Sequence, residues 1–195
     1  MIKLISSKVA CFLCKDEERK DNYEIYEYAV YIILSSAFHI ATIIALGLCF
    51  NLLVESLVFY FSFITIRKFA GGYHAKTPIK CYIISVVSST IILVLINIIP
   101  IIVSRFRFIE YFLLILGLFS LIIICYLSPL DTINNPLNNE EKILLKKITI
   151  FLSVSIYFIS CLLIVFSVLN IGIAMMFGIF MSNLVLALRK ATTNH

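Results

Sequence analysis

The chain has 195 residues, of which 62% are hydrophobic and 14% charged, and its mean hydropathy is +1.06. Soluble domains carry about a quarter charged residues, so this composition excludes a water-soluble globule and predicts a single membrane domain over 1–195. The formal net charge of +5 is spread between apolar segments and forms no separate basic, aromatic surface. Nucleic-acid binding is therefore not expected.

The first 22 residues predict an amphipathic helix on the inner surface of a membrane. Ile2, Ile5 and Val9 recur at near-helical spacing, and Lys3 and Lys8 lie among them. Basic amphipathic helices of this kind bind the membrane interface. The alternative is a polar leader whose periodicity arises by chance. No cleavable signal peptide is expected, because charged residues interrupt the apolar run that such a peptide requires.

Six apolar segments predict an all-α integral membrane protein with about six transmembrane helices. Crossing ~30 Å of hydrocarbon takes about 20 helical residues. The second segment is shorter than that, and the alternative for it is a re-entrant helix. The segments are 28–50, 52–66, 81–103, 108–127, 148–169 and 171–188.

The distribution of lysine and arginine predicts the orientation. With a cytoplasmic N-terminus and six crossings, fourteen basic residues lie inside and only Arg105 and Arg107 lie outside. This is a strong positive-inside bias. We therefore expect a multi-pass protein of the cell membrane with both termini in the cytoplasm, and two cytoplasmic loops at 67–80 and 128–147.

The first cytoplasmic loop contains His74, and Cys81 follows directly after the loop. On one continuous helix they would lie about 10.5 Å apart along the axis, too far for a base to take the thiol proton. Thr77 and Pro78, however, predict a helix start, which places Cys81 in a first turn. The positive helix end and nearby lysines favour a thiolate there. The pattern indicates nucleophilic cysteine chemistry at a membrane surface.

The other cysteines do not predict a site. Cys11 and Cys14 form a C-x-x-C pair without a second ligand pair, so no metal or other cofactor is expected. Cysteines in apolar segments behave as small hydrophobic residues, and this is our interpretation of Cys49, Cys125 and Cys161.

Three ionisable residues fall within or beside the apolar segments. His39, Glu55 and Glu110 are functional candidates by default, because such residues are costly in a membrane. The alternative for both glutamates is a solvated helix end. A small multipass peptide transporter would need a polar stripe along several spans, whereas only isolated polar residues occur.

The pattern R-x3-G-G-x-H-A-x5-C resembles the accessory gene regulator B (AgrB) family. A second element, S-P-L-D-x3-N-P-L over 128–137, also resembles that family. The resemblance implies a membrane cysteine endopeptidase of Gram-positive bacteria that removes the C-terminal tail of a quorum-sensing propeptide of the AgrD type. The residues of the first pattern are Arg67, Gly71, Gly72, His74, Ala75 and Cys81.

The resemblance also implies residue roles. His74 would be the general base and Cys81 the nucleophile, which forms an acyl-enzyme thioester that an internal Cys or Ser of the substrate converts to a thiolactone or lactone. The alternative for the second loop is a turn shaped by its prolines. The substrate-binding or supporting positions would be Arg67, Gly71, Gly72, Asp131 and Asn135.

A homodimer is expected, because six short spans provide little protein around a loop that must enclose an extended peptide. Small residues permit close helix approach, and they pack either between subunits or within one. A non-catalytic membrane adaptor is a further alternative, although it would not need Cys81 beside a Gly-Gly turn. The small residues lie on the last span and are Gly172, Ala174, Gly178 and Ser182.

Overall fold

The computed structural model describes residues 2–13, 23–71, 78–130 and 138–193, and every regular element within these ranges is an α-helix. Five of the seven helices, α2 and α4 to α7, are long and apolar enough to cross a membrane. The prediction of an all-α membrane protein is therefore confirmed. The helices are α1 (Ile2–Leu13), α2 (Tyr23–Cys49), α3 (Leu53–Ala70), α4 (Pro78–Arg105), α5 (Phe108–Leu127), α6 (Asn139–Val165) and α7 (Leu169–Thr193).

Helix α3 is shorter than these five. Its 18 residues extend about 27 Å at 1.5 Å per residue, and they include Glu55, Arg67 and Lys68. The length is close to the hydrocarbon thickness of a bilayer, whereas three ionisable side chains make complete burial in lipid unfavourable. A sixth crossing by α3 stays a prediction.

The chain forms two compact units, Met1–Ala45 and Leu46–His195. In the first unit, Ser6 and Ala10 of α1 are buried. The Tyr23 hydroxyl, at the start of α2, donates a hydrogen bond to the backbone oxygen of Ser7 at 3.3 Å. These contacts join α1 to the first turn of α2.

The face of α1 that carries Ile5, Val9 and Phe12 is exposed and apolar. Lys8 is also exposed. A helix is therefore present where the amphipathic segment was predicted. Its position on a membrane surface stays a prediction, and 14–22 lie outside the described residues.

In the second unit, α7 is the central helix. It packs mainly against α3 and α6, then α5, with fewer contacts to α4. Half of the residues in its apolar stretch are buried, compared with 28% for α5. The helices approach closely because small side chains line the contacts, as is typical of membrane helix packing. Buried members of this small-residue seam are Ser56, Ser62, Ser120, Thr149, Ser153, Ser160, Ala174 and Ser182.

The small residues of α7 are covered within one protomer. A Cβ added to Gly178 would lie 2.6 Å from the Ser62 Cβ of α3, and one added to Gly172 would lie 2.7 Å from the Ile164 Cγ1 of α6. Ala174 and Ser182 are buried as well. Of the two alternatives for this stripe, the structure shows packing within one subunit, because α3 and α6 already use its surface.

The second unit has two ends, which differ in their connections. At the turn end, short segments join α2 to α3, α4 to α5 and α6 to α7. At the loop end, longer polar segments join α3 to α4 and α5 to α6. A hydrophobic cluster lies near each end. The turn-end cluster is Leu52, Phe59, Ile92, Leu93, Ile96, Val103, Leu113, Ile173 and Ala174, and the loop-end cluster is Ile66, Ala70, Leu121, Ile124, Ile179 and Leu186.

Helix α6 begins at Asn139, earlier than the predicted span at 148. A capping box explains the early start, because it satisfies backbone N–H groups that a helix otherwise leaves unpaired. The Asn138 side chain accepts a bond from the Glu141 N–H, and the Glu141 carboxylate accepts one from the Asn138 N–H at 3.0 Å. The expected loop at 128–147 is therefore shorter.

Two other boundaries differ from those expected. Helix α3 continues to Ala70, so Arg67 lies in a helix and not in the loop predicted at 67–80. The connection from α6 to α7 comprises 166–168, whereas the sequence suggested a break at Asn170. Ser167 makes this turn with φ of 63°, a conformation that few residues other than glycine adopt. Serine is a weak signal for such a turn.

Candidate active site

Cys81 lies in the first turn of a helix. Helix α4 begins at Pro78, as predicted, and Cys81 is its fourth residue. The first turn of a helix has unpaired backbone N–H groups and the positive end of the helix dipole. This is an environment in which cysteine pKa values fall and thiolates form. The backbone of α4 therefore places Cys81 at a helix N-terminus, and its role as a nucleophile stays a prediction.

The proposed base and three supporting residues fall in the polar segments at the loop end. His74 and Gly72 belong to 72–77, and Asp131 and Asn135 belong to 131–137; both ranges lie outside the described residues. The roles assigned to these four residues stay predictions. The structure does describe the residues at which the two segments begin.

Gly71 ends α3 in a conformation that favours glycine. Its φ is 76° and its ψ is −168°, and its N–H donates to the Arg67 carbonyl at 3.2 Å. This backbone region is essentially restricted to glycine. A Cβ at Gly71 would also lie 2.9 Å from the Leu130 carbonyl oxygen. The first polar segment thus begins at a position where both conformation and space require glycine.

Leu130, which leads into the second polar segment, contacts the end of α3, where the first polar segment begins. The Leu130 N–H donates a hydrogen bond to the Ala70 carbonyl at 3.2 Å, and the Leu130 side chain packs on the loop-end cluster. Ser128, two residues earlier, is 3% exposed, and its N–H donates to the Ile124 carbonyl at 2.9 Å. The structure therefore brings Gly71 beside the S-P-L-D element.

This contact could not be found from the sequence. The segment 130–137 contains three apolar residues, Leu130, Ile133 and Leu137. Nothing in their spacing identifies Leu130 as a residue that packs on the helices. The Gly-Gly pair does indicate an unusual backbone near Gly71, but it does not identify the partner.

Arg67 points back along its own helix. Its guanidinium lies 5.5 Å from the ring centroid of Phe63, one turn earlier in α3, which is a favourable cation–π geometry. Lys190, near the end of α7, lies 5.4 Å from the Tyr126 ring. Both cations are near helix C-termini, where the dipole favours positive charge. The predicted contact of Arg67 with an acidic substrate stays a prediction.

The two glutamate candidates lie at helix starts. Glu55 lies in the first turn of α3 and Glu110 in the first turn of α5, where the helix dipole favours a carboxylate. Both are half-buried at the turn end. They therefore fit the helix-end alternative. His39 is half-buried within α2.

The buried polar side chains do not form a charged path. Among the residues whose burial the structure describes, every buried polar or charged residue is a serine or threonine. Several bond to their own helix: Ser56 to the Leu53 carbonyl at 2.9 Å and Thr149 to the Leu145 carbonyl at 2.8 Å. Such local bonds satisfy a hydroxyl within a helix. This seam serves packing, and it does not favour the transporter alternative.

The described cysteines outside α4 are free thiols. Cys11 and Cys49 are exposed, and Cys125 and Cys161 are half-buried. Within the described ranges, no three His, Cys, Asp or Glu side chains gather as a metal site would require. These four cysteines therefore serve as comparisons for Cys81.

The helices and the loop end define a multipass, all-α membrane protein. The family model described as Accessory gene regulator B matches residues 6–186. The chain belongs to the accessory gene regulator B family.

Relatives are found in two bacterial genera. The chain is 31% identical over 140 residues to Putative AgrB-like protein 2 of Clostridium perfringens, a match that covers 72% of this chain and 64% of that relative. It is 28% identical over 165 residues to Putative AgrB-like protein 1 of the same species, covering 84% and 83%. It is 28% identical over 142 residues to Accessory gene regulator protein B of Staphylococcus saprophyticus, covering 70% and 71%. No solved structure matches the chain.

Proposed function

We propose that this protein is a membrane-embedded cysteine endopeptidase that removes the C-terminal tail of a quorum-sensing propeptide and promotes cyclisation of the remaining peptide. The observation that carries the proposal is the position of Cys81 in the first turn of α4, directly after the segment that contains His74. The helix start supplies the electrostatic environment of a thiolate. Family membership gives this pairing its biological context.

The first half-reaction forms a thioester. His74 takes the proton of the Cys81 thiol, and the thiolate attacks a peptide carbonyl of the propeptide. The resulting tetrahedral intermediate expels the amine of the C-terminal tail, which receives the proton from the His74 imidazolium. The products are an acyl-enzyme at Cys81 and a free tail peptide.

The second half-reaction closes the ring. A Cys or Ser of the substrate attacks the thioester carbonyl, His74 takes the proton of the attacking thiol or hydroxyl, and the Cys81 thiolate leaves. When the attacking residue is a cysteine, one thioester replaces another, so the free-energy change of the step is small. A water-poor site at the membrane boundary protects the intermediate from hydrolysis. No cofactor takes part in either step.

The supporting residues come from both polar segments. Leu130 contacts Gly71, and Asp131 follows Leu130 directly in the sequence. This supports a role for Asp131 or Asn135 in orienting the imidazole, as a carboxylate or amide does in other cysteine proteases. Arg67 would bind acidic residues of the propeptide, and Gly72 would allow the backbone to approach the scissile bond.

The orientation in the membrane follows from the charge bias. We propose that the loop end and both termini are cytoplasmic in a Gram-positive cell. Cysteines introduced at Lys76 and Asn138 should then react with a membrane-impermeant label only from the inside. A cysteine at Arg105 should react from the outside. Labelling of positions 76 and 138 from opposite sides would contradict six crossings.

We also propose that the protein acts as a homodimer, which would provide more protein around the substrate than one small bundle does. The small-residue stripe of α7 cannot be its contact surface, because α3 and α6 cover it. Mass measurement in lipid nanodiscs should give twice the protomer mass. Full cleavage activity by a monomer would refute the dimer.

The experiment that tests the function compares two cysteine variants. Cys81→Ala should abolish cleavage of the propeptide in nanodiscs while the protein still inserts into membranes. Cys49→Ala, an exposed cysteine at the turn end, should cleave at the wild-type rate. Cleavage at the wild-type rate by Cys81→Ala, or an equal loss of cleavage in both variants, would contradict the assignment of Cys81 as the nucleophile.

A further inference from the structure

Ala70, Gly71 and Leu130 form a backbone contact that we call the loop clamp. It includes the 3.2 Å hydrogen bond from the Leu130 N–H to the Ala70 carbonyl. It also includes the close approach of Gly71 to the Leu130 carbonyl oxygen, which lies 2.9 Å from the site of a Gly71 Cβ. The clamp joins the two polar segments at the points where they leave the helices.

Each side of the loop clamp is held by the helices. Ala70 is fully buried in the loop-end cluster, and the Gly71 N–H is bonded to the Arg67 carbonyl. On the other side, Leu130 packs on the same cluster and Ser128 is buried. The backbone at Gly71 and the backbone at Leu130 cannot move apart to accept a side chain at Gly71 without disturbing this packing.

We propose that the loop clamp is a positioning element for the active site: Gly71 sets the direction in which the chain enters the segment that carries His74, and Leu130 holds Gly71 in that conformation. The proposal rests on the proposed function. Its physical basis is the Gly71 backbone, with φ of 76° and ψ of −168°. A residue with a side chain would have to leave this region and would redirect the chain that follows.

An alternative role for the clamp is a joint that only stabilises the bundle. The two roles differ in their kinetic consequences. Misplacing a catalytic group by about 1 Å costs up to about a hundredfold in rate. A loss of transition-state stabilisation lowers kcat and leaves KM little changed. A purely structural joint would instead lower the amount of folded protein, and the folded fraction would keep its kcat.

The first test measures the contact without reference to activity. The full chain, with its six native cysteines replaced by alanine, receives Ala70→Cys together with Leu130→Cys. After mild oxidation and then denaturation, which exposes any remaining free thiol, this pair should be protected from a maleimide label, and a reductant should restore the labelling. The control pair is Ala70→Cys with Tyr126→Cys, because Tyr126 is 80% exposed, and it should still be labelled. Full labelling of the 70/130 pair would overturn the loop clamp.

The second test measures its effect on cleavage. Gly71→Ala should lower kcat by roughly 10–100-fold with KM changed by less than about twofold. The matched control is Gly172→Ala at the turn end, where the new Cβ would meet Ile164 Cγ1 at 2.7 Å. That variant should lose folded protein, while the folded fraction keeps the wild-type kcat.

The outcomes separate the possible failures. A wild-type kcat for Gly71→Ala, or an equal kcat loss in Gly172→Ala, would overturn the positioning role. If Cys81→Ala still cleaved the propeptide, the proposed function and the positioning role would both be wrong. The labelling of the 70/130 pair would decide the loop-clamp contact in either case.

Discussion

The two ends of the helical unit differ in how much chain they use. At the turn end, three residues join α2 to α3, two join α4 to α5 and three join α6 to α7. At the loop end, seven residues lie between α3 and α4, and eleven between α5 and α6. Short connections order the chain at little entropic cost, whereas longer ones provide backbone for binding and catalysis.

The two ends also differ in the hydrogen-bond partners of their backbone N–H groups. Turn-end residues bond to the last turn of the preceding helix, as in the 2.8 Å bonds from Leu52 N–H to the Gly47 carbonyl and from Val168 N–H to the Leu163 carbonyl. At the loop end, Leu130 bonds across to Ala70, 60 residues away in the chain. The turn end is built from local contacts. The loop end depends on a long-range contact, so changes there should alter function more than stability.

The largest effect expected at the loop end, after loss of the nucleophile, is that of His74→Gln. Glutamine keeps hydrogen-bonding capacity but cannot act as a base, so cleavage near pH 7 should fall by about 10²–10⁴. The remaining rate should rise with increasing pH, because the Cys81 thiol then ionises without the help of a base. A pH–rate profile of both enzymes in nanodiscs measures this.

The matched control for that experiment is His39→Gln. His39 is half-buried within α2 and has no part in the proposed mechanism, so this variant should keep the wild-type profile. If His74→Gln retained most of its activity across neutral pH, Cys81 would have to ionise through the helix end and lysines alone. The base would then be misassigned.

The sequence predicts local features well and long-range contacts poorly. The start of α4 at Pro78 was correct, because a proline at a first helical position is a local signal. The predicted start of α6 was nine residues too late. Asn138 and Glu141 form a capping box, but the charged residues that follow were assigned to a loop. Polarity alone does not separate a loop from a helix that extends beyond the membrane.

Packing partners were the part that sequence could not supply. The small residues of α7 predict a close helix contact, and the structure shows that contact. The partner, however, is α3 or α6 and not a second subunit. The same limit applies to Leu130, whose contact with Gly71 joins residues 59 positions apart. Composition and spacing identify surfaces suited to packing, and only the fold identifies what covers them.

A smaller effect, on stability, is expected from Gly178→Ala at the contact of α7 with α3. The added Cβ would lie 2.6 Å from Ser62 Cβ and 3.1 Å from the Phe63 backbone nitrogen. Because backbone cannot move aside cheaply, this overpacking should cost about 1–3 kcal/mol. Thermal unfolding in detergent should show a lower Tm.

Gly117→Ala is the comparison for that variant. Its new Cβ would meet the side chains of Met176 and Tyr157, and methionine adapts to changes in packing. Gly117→Ala should therefore lower Tm less than Gly178→Ala. The reverse order would show that the α3–α7 contact yields more easily than its backbone distances indicate.

The smallest effect is expected from Asn138→Ala, which removes the cap of α6 where the second polar segment ends. Losing this cap should cost about 1 kcal/mol and leave the amides of the first turn less protected. Hydrogen exchange across 139–142 measures the change directly. The control is Asn139→Ala, since Asn139 is adjacent, is also exposed and lies within the helix. Cleavage should stay close to wild type in both variants, because Asn138 is the last residue before α6 and the loop clamp lies at the other end of the segment. Equal exchange in the two variants would mean that the capping box does not determine where α6 begins.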